Sequence, residues 1–160
     1  MTRYLTIQSV LFVCLGNICR SPLAEGALRT LVADRGLDLL VDSAGTGDWH
    51  IGSPPDARAI QIAADHGTDI SGLRARQVAP ADMDQFDLIL AMDSSNLDDL
   101  GALVREDARA EICLALDLVP GRAGGSVADP YYGDAVDFAI AWSDAMVIAE
   151  AIVDRIAGDS

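Results

Sequence analysis

The chain has 160 residues, about half of them apolar, and a formal net charge of −14, with arginine at all 11 basic positions. This length and composition predict one globular domain over residues 1–160 with a buried core, and they exclude a disordered chain. Without a basic stripe, nucleic acid is not an expected partner. No apolar run reaches bilayer length and residues 1–10 lack a signal-peptide layout, so we expect a cytoplasmic protein without membrane contact.

The first half of the chain alternates strand and helix patterns. A β-branched and aromatic run predicts a strand over Thr6–Val13 that ends at Cys14, and apolar periodicity predicts a helix over Pro22–Arg35 closed by Gly36. The next predicted elements are a strand over Leu37–Val41 leading into Asp42-Ser43-Ala44-Gly45, a loop over Thr46–Pro55, and a helix over Ala57–His66 capped by Asp56.

The second half continues this alternation. Its predicted elements are a helical turn at Ala81–Gln85, a strand over Asp87–Met92, a helix from Asp93 or Ser94 to Val104, a strand over Ala110–Ala115, and a helix from Asp134 or Ala135 to Ala157 whose apolar positions include Val136 and Ile140. The segment Asp117–Asp134 is long and rich in Gly and Pro, as functional loops often are. The alternation predicts an open parallel sheet with helices on both faces, which binds ligands at the carboxyl ends of its strands.

The segment from Val10 to Gly26 carries the most chemistry. Gly16 and Asn17 tolerate positive φ in a short loop, and Ser21 and Pro22 are a helix-start signal, with Ser21 as the expected cap. A tight turn that enters a helix aims several backbone N–H groups at one point and so forms an anion cradle. The sequence therefore predicts an anion site with a thiol at its base.

Cys14 and Arg20 define the chemistry of this cradle. A thiol at a helix N-terminus beside an arginine is expected to ionise readily and to act as a nucleophile. The planar fork of Arg20 can hold two phosphate oxygens, and the loop amides can hold the others. We expect Ser21 to donate its hydroxyl toward the Cys14 sulfur and Asn17 to adopt a left-handed conformation. The pattern predicts covalent chemistry on a phosphate.

A phosphoenzyme route also needs an acid for the leaving group, and Asp129 in the long loop is the candidate. Asp-Pro dipeptides commonly just start a turn, so spacing alone leaves that alternative open. Tyr131 and Tyr132 favour the acid role because aromatic walls suit an aryl phosphate. Trp49 is either a wall facing them or a core residue, and Asp134 is expected to cap the last helix.

Taken together, these motifs resemble the low-molecular-weight protein tyrosine phosphatases over essentially the whole chain. The matching segments are Cys14-Leu15-Gly16-Asn17-Ile18-Cys19-Arg20-Ser21, Pro22-Leu23-Ala24-Glu25-Gly26, Asp42-Ser43-Ala44-Gly45-Thr46 with Trp49, Arg74-Ala75-Arg76-Gln77, Ala91-Met92-Asp93 with Asn96-Leu97, and Asp129-Pro130-Tyr131-Tyr132-Gly133-Asp134. The resemblance implies a three-layer α/β/α fold around a four-stranded parallel sheet in the order 2-1-3-4.

The resemblance also implies roles for individual residues. Cys14 would be the nucleophile, Arg20 the phosphate clamp and Asp129 the general acid and then base, while Cys19 would be a redox partner able to form a reversible disulfide with Cys14. The other substrate- or phosphate-binding residues would be Leu15, Gly16, Asn17, Ile18, Cys19, Ser21, Trp49, Tyr131 and Tyr132, with Ser43 as loop support. Substrates would be tyrosine-phosphorylated proteins, inorganic phosphate would be product and inhibitor, no metal or cofactor is implied, and a monomer is expected.

One position departs from the family pattern. Members often have a histidine just before the Arg-x-Arg-Gln segment, bonded to the loop asparagine, and here Leu73 stands there. The substitution removes a polar support for Asn17, which another group could replace. We expect retained activity with an altered pH dependence.

Three other functions compete with tyrosine phosphatase activity. Protein arginine phosphatases share the fold, but those this chain resembles have threonine where Ile18 stands, so an apolar Ile18 favours phosphotyrosine. Arsenate reductases need further thiols, and only Cys113 is left, in an apolar stretch where a core role is expected. A catalytically idle phosphate-binding module would be expected to lack Cys14, Arg20 or Asp129, and all of these are present.

Overall fold

A parallel sheet of four strands lies at the centre of the fold. The strands are β1 (Ser9–Cys14), β2 (Leu40–Gly45), β3 (Leu88–Ala91) and β4 (Glu111–Leu114). They are ordered β2-β1-β3-β4, which confirms the predicted topology. The structure is a computed structural model that describes residues 7–104 and 107–158.

Helices cover both faces of this sheet. They are α1 (Arg20–Arg35), α2 (Ala57–Asp65), α3 (Asp82–Gln85), α4 (Ser94–Gly101) and α5 (Ala135–Gly158), with a 3-10 helix at Ala115–Leu118. Because side chains alternate along a strand, β1 contributes residues to a separate hydrophobic core on each face of the sheet. Phe12 packs with α1 and α5, whereas Leu11 packs with the α3 and α4 side. None of the described helices is long and apolar enough to cross a membrane.

Several predicted boundaries were wrong. The second strand begins at Leu40, not Leu37, and continues through Asp42 to Gly45, since it pairs with β1 from Ser9↔Leu40 to Cys14↔Gly45. This pairing overrides the weak strand propensity of Asp and Ser. The fourth helix ends at Gly101, not Val104. The predicted start of the first strand at Thr6 lies outside the described residues.

Three further expectations about local structure need correction. The first helix begins at Arg20, and Ser21 lies inside it instead of capping it. Val136 and Ile140 are exposed, because they lie on the face of α5 opposite to the buried Phe138, Ala141 and Trp142. Cys113 is only half-buried, since it lies in the edge strand β4. The caps expected at Asp56 and Asp134 are confirmed.

Candidate active site

The loop between β1 and α1 is held against the end of β2. The backbone N–H of Thr46 donates to the Cys14 carbonyl over 2.9 Å, and that of Gly47 donates to the Leu15 carbonyl over 2.9 Å. Gly45 lies so close that a Cβ there would stand 2.8 Å from the Leu15 carbonyl oxygen. Only glycine fits this approach, so β2 sets the position of the loop directly.

Asn17 is the structural centre of the loop. It adopts the left-handed conformation predicted for it, with φ of 58°. Its amide nitrogen donates to the hydroxyls of Ser21 (2.8 Å) and Ser43 (2.9 Å), and its amide oxygen accepts from the backbone N–H of Arg76 (3.0 Å). All the donors of this side chain are therefore used, although Leu73 replaces the family's histidine.

The same bonds fix the direction of the Ser21 hydroxyl. Ser21 Oγ accepts from Asn17, so its own hydrogen is free to point at Cys14 Sγ, which lies 3.0 Å away. The backbone N–H of Asn17 also donates to this sulfur, over 3.3 Å. Two hydrogen-bond donors therefore face Cys14 Sγ and fix its position at the base of the loop.

Behind Asn17 lies a buried carboxylate that the sequence analysis gave no role. Ser43 Oγ donates to Glu25 over 2.6 Å, and the Arg29 guanidinium donates to the other Glu25 oxygen over 2.8 Å. Burial raises the pKa of Glu25, and the bonds from Ser43 and Arg29 only partly oppose this. Glu25 thus anchors the serine that supports the loop.

Arg20 is buried and already bonded along one edge. Its Nη1 donates to Asp93 over 2.6 Å and to the Val127 carbonyl over 3.0 Å, while its Nη2 lies 3.7 Å from Asp129. Burial alone would lower the pKa of Arg20, but Cys14, Asp93 and Asp129 outweigh that effect and raise it. Nη2 therefore stays available at the cavity with its charge intact.

A cavity of about 300 Å³ opens above the loop and brings most of the predicted residues together. Its lining residues are Cys14, Leu15, Gly16, Ile18, Cys19, Arg20, Trp49, His50, Asp129, Tyr131 and Tyr132. Trp49 is exposed at the rim and not in the core. Asn17, Ser21 and Ser43 lie behind the loop instead of on the cavity wall, because their side chains are used in the hydrogen bonds that shape it.

Cys19 faces the same cavity as Cys14, and both thiols are free. Burial, assisted by the negative charge of Asp56, raises the pKa of Cys19. Cys19 therefore stays a thiol at neutral pH. Cys113 lies in β4, away from the cavity lining, and burial raises its pKa to about 11.

Arg58 is a candidate functional residue that the sequence analysis missed. Its guanidinium donates to the carbonyls of Tyr131 (2.9 Å) and Gly133 (3.4 Å), and it is held by the Asp56 carboxylate. The backbone N–H of Asp56 donates in turn to the Ile18 carbonyl over 2.8 Å. Arg58 thus joins the anion loop to the loop that carries Asp129. An arginine two residues after a helix cap was the only sequence signal, and it is a weak one.

The site places Cys14, Arg20 and Asp129 around one anion loop. This arrangement of a thiol, a guanidinium and a carboxyl is typical of cysteine-dependent phosphatases. Residues 9–155 match the family model described as low molecular weight phosphotyrosine protein phosphatase. The chain belongs to this family.

Individual relatives agree with the family match. The low molecular weight protein-tyrosine-phosphatase YfkJ of Bacillus subtilis is 46% identical over 126 residues, which are 78% of this chain and 81% of that protein. The human low molecular weight phosphotyrosine protein phosphatase is 40% identical over 154 residues, 92% of this chain and 95% of that one.

Solved structures have the same fold. The crystal structure of YfkJ superposes with a TM-score of 0.88 over 97% of this chain and 98% of that one, at 39% identity. The Drosophila arginine phosphatase DARP superposes with a TM-score of 0.85 over 91% and 95% of the two chains, at 35% identity. The fold is therefore shared by phosphatases of two named specificities.

Proposed function

We propose that this protein hydrolyses phosphotyrosine in proteins, and small aryl phosphates, through a cysteinyl-phosphate intermediate. The observation that supports this most directly is that Cys14, Arg20 and Asp129 line one cavity together with Tyr131 and Tyr132. The family to which the chain belongs supports the same reaction.

In the first step the Cys14 thiolate attacks phosphorus and forms the S–P bond while the P–O bond to the tyrosine oxygen breaks. Asp129 gives its proton to that oxygen, so the leaving group departs as a neutral phenol. Arg20 and the first-turn N–H groups of α1, which have no acceptor inside the helix, hold the phosphoryl oxygens.

In the second step a water molecule attacks the phosphorus of the cysteinyl phosphate. Asp129, now a carboxylate, takes a proton from that water, and the S–P bond breaks to release inorganic phosphate. Ser21 stabilises the departing thiolate through the hydrogen bond that it directs at Cys14 Sγ.

Hydrolysis of phenyl phosphate by the wild type and two variants tests this mechanism. We expect Cys14→Ser to abolish turnover and Asp129→Ala to lower kcat/KM by roughly 10²- to 10⁴-fold, the usual contribution of a general acid. The matched control is Asp134→Ala, since Asp134 is a helix cap on the same loop. Unchanged turnover in Cys14→Ser would refute the covalent route.

Phosphoarginine is the second candidate substrate, because DARP shares the fold. Ile18 on the cavity wall and the edge-to-face pair of Tyr131 and Tyr132, with ring centroids 4.9 Å apart, favour an aromatic ester. Side-by-side assays of phosphotyrosine and phosphoarginine peptides decide between them, and a clear preference for phosphoarginine would reverse our assignment.

Further properties follow from this proposal. Tyrosine-phosphorylated proteins in the cytoplasm are the proposed substrates, and inorganic phosphate, the product, is proposed to compete for the same loop. We also propose a monomer, because the cavity is built from one chain. Competitive inhibition by phosphate and a sedimentation coefficient independent of concentration are the expected results.

A further inference from the structure

A second cavity of about 300 Å³ lies beside the first. Its lining residues are Leu15, Thr46, Gly47, Trp49, Gln77, Val78, Asp99 and Leu103. Leu15 and Trp49 also line the cavity above Cys14, so the two spaces share those walls. We call the second space the side cavity.

Trp49 divides the two cavities. A Cβ on Gly47 would overlap the Trp49 ring, so the ring lies directly on the Gly47 backbone. The indole remains 69% exposed and Leu15 remains 42% exposed. Two exposed apolar side chains that line the same cavity are a candidate binding surface.

The chemistry of the side cavity is specific. Leu15, Val78 and Leu103 supply apolar walls. The Thr46 hydroxyl is buried and has no hydrogen-bond partner within the described residues, so one wall of the cavity holds an unsatisfied polar group. Asp99 is exposed, and its carboxylate makes no ion pair within residues 7–104 and 107–158.

We propose that the side cavity binds a lysine or arginine side chain of the substrate protein, within two residues of the phosphotyrosine. The apolar stem would lie along Leu15 and Leu103, and the cationic end would pair with the Asp99 carboxylate. An extended chain advances about 3.3–3.6 Å per residue, so neighbouring cavities with common walls are within reach of one short peptide. This inference rests on the proposed phosphotyrosine phosphatase activity.

Matched phosphopeptides test the proposal. In each series one position within two residues of the phosphotyrosine, on either side, carries arginine, norleucine or glutamate. We expect kcat/KM to be highest for arginine at one of these positions and lowest for glutamate, with the difference mainly in KM. The gain of arginine over norleucine should be roughly two- to fivefold, the usual size of an exposed charge pair.

A variant of Asp99 assigns that selectivity to the side cavity. Asp99→Asn should remove the preference for arginine over norleucine and should leave kcat/KM for phenyl phosphate unchanged. The matched control is Asp98→Asn, an adjacent exposed carboxylate on α4 that loses the same charge but does not line the cavity.

Different results refute different claims. Equal kcat/KM for all peptides would refute the side cavity as a substrate site while leaving the phosphatase activity intact. An equal loss of selectivity in Asp98→Asn and Asp99→Asn would assign the preference to the overall acidic charge and overturn the inference. Hydrolysis of no phosphotyrosine peptide, with phenyl phosphate also inert, would refute the proposed function and the inference with it.

Discussion

Arg58 is the residue whose substitution most directly tests the connection between the two loops of the site. Arg58→Lys keeps the charge but loses the planar fork that reaches Asp56 and the carbonyls of Tyr131 and Gly133. Because these carbonyls lie just after Asp129, the loss should loosen this proposed general acid without touching Cys14 or Arg20.

The size of the effect follows from the bonds that are lost. One net hydrogen bond changes an equilibrium by roughly two- to twelvefold, and exposed positions lie at the low end. One of the two carbonyl bonds is short, at 2.9 Å, and the other is long, at 3.4 Å. We therefore expect kcat/KM for phenyl phosphate to fall about three- to tenfold, well below the roughly 10²- to 10⁴-fold that loss of the acid itself would cause.

A comparison of two leaving groups shows whether Arg58→Lys acts through protonation of the leaving group. p-Nitrophenolate departs readily without a proton, so kcat/KM for p-nitrophenyl phosphate should fall less than about twofold. The control is Arg74→Lys, an exposed arginine whose bonds within the described residues go to the nearby carbonyls of Ser71 and Leu73. An equal fall for both substrates would contradict the reasoning, as would a further fall when Arg58→Lys is added to Asp129→Ala.

Three other predictions concern the support of the loop. The sequence alone predicts that Leu73 alters the pH dependence, but the bonds of Asn17 to Ser21, Ser43 and Arg76 reverse this expectation, so Leu73→His should change kcat/KM by less than about twofold at any pH; a faster enzyme with a sharper pH optimum would support the expectation from the sequence instead. Burial raises the pKa of Glu25 above its ordinary value of 4.5. The stabilisation that Glu25 contributes is therefore complete below pH 4.5 and is lost as the pH rises through the raised pKa. In urea titrations Glu25→Gln should gain stability relative to wild type from acidic to neutral pH, and a pH-independent difference would refute this. After peroxide treatment the wild type should recover more activity with dithiothreitol than Cys19→Ser; equal recovery would exclude a protective disulfide.

The sequence predicted the parts of this protein that depend on neighbours in the chain. The anion loop, the strand before it and the conformation of Asn17 all follow from a short segment with strong local preferences. The order of the strands came with the family resemblance. Asp129 could be predicted because it lies close to Tyr131 and Tyr132 in a long Gly- and Pro-rich loop that contains few other acidic residues.

The parts that could not be predicted depend on contacts between distant segments. The bounds of β2 follow from pairing with β1, against the propensities of Asp42 and Ser43. Ser21 looks like a helix cap from its neighbours, yet Asn17 and Cys14 use its hydroxyl. Arg58 acts on carbonyls more than 70 residues away, and no local pattern reveals such a contact.

The contact between Arg20 and Asp129 shows which edge of the guanidinium is open to a bound anion. Arg20 Nη2 lies 3.7 Å from Asp129, whereas Nη1 is bonded to Asp93 and to the Val127 carbonyl. In the proposed mechanism a phosphate dianion on the loop would take over Nη2. Because Nη1 stays bonded to Asp93 and Val127, this exchange requires no movement of the Arg20 side chain. One edge of the guanidinium thus fixes its position, and the edge beside Asp129 is left for the substrate.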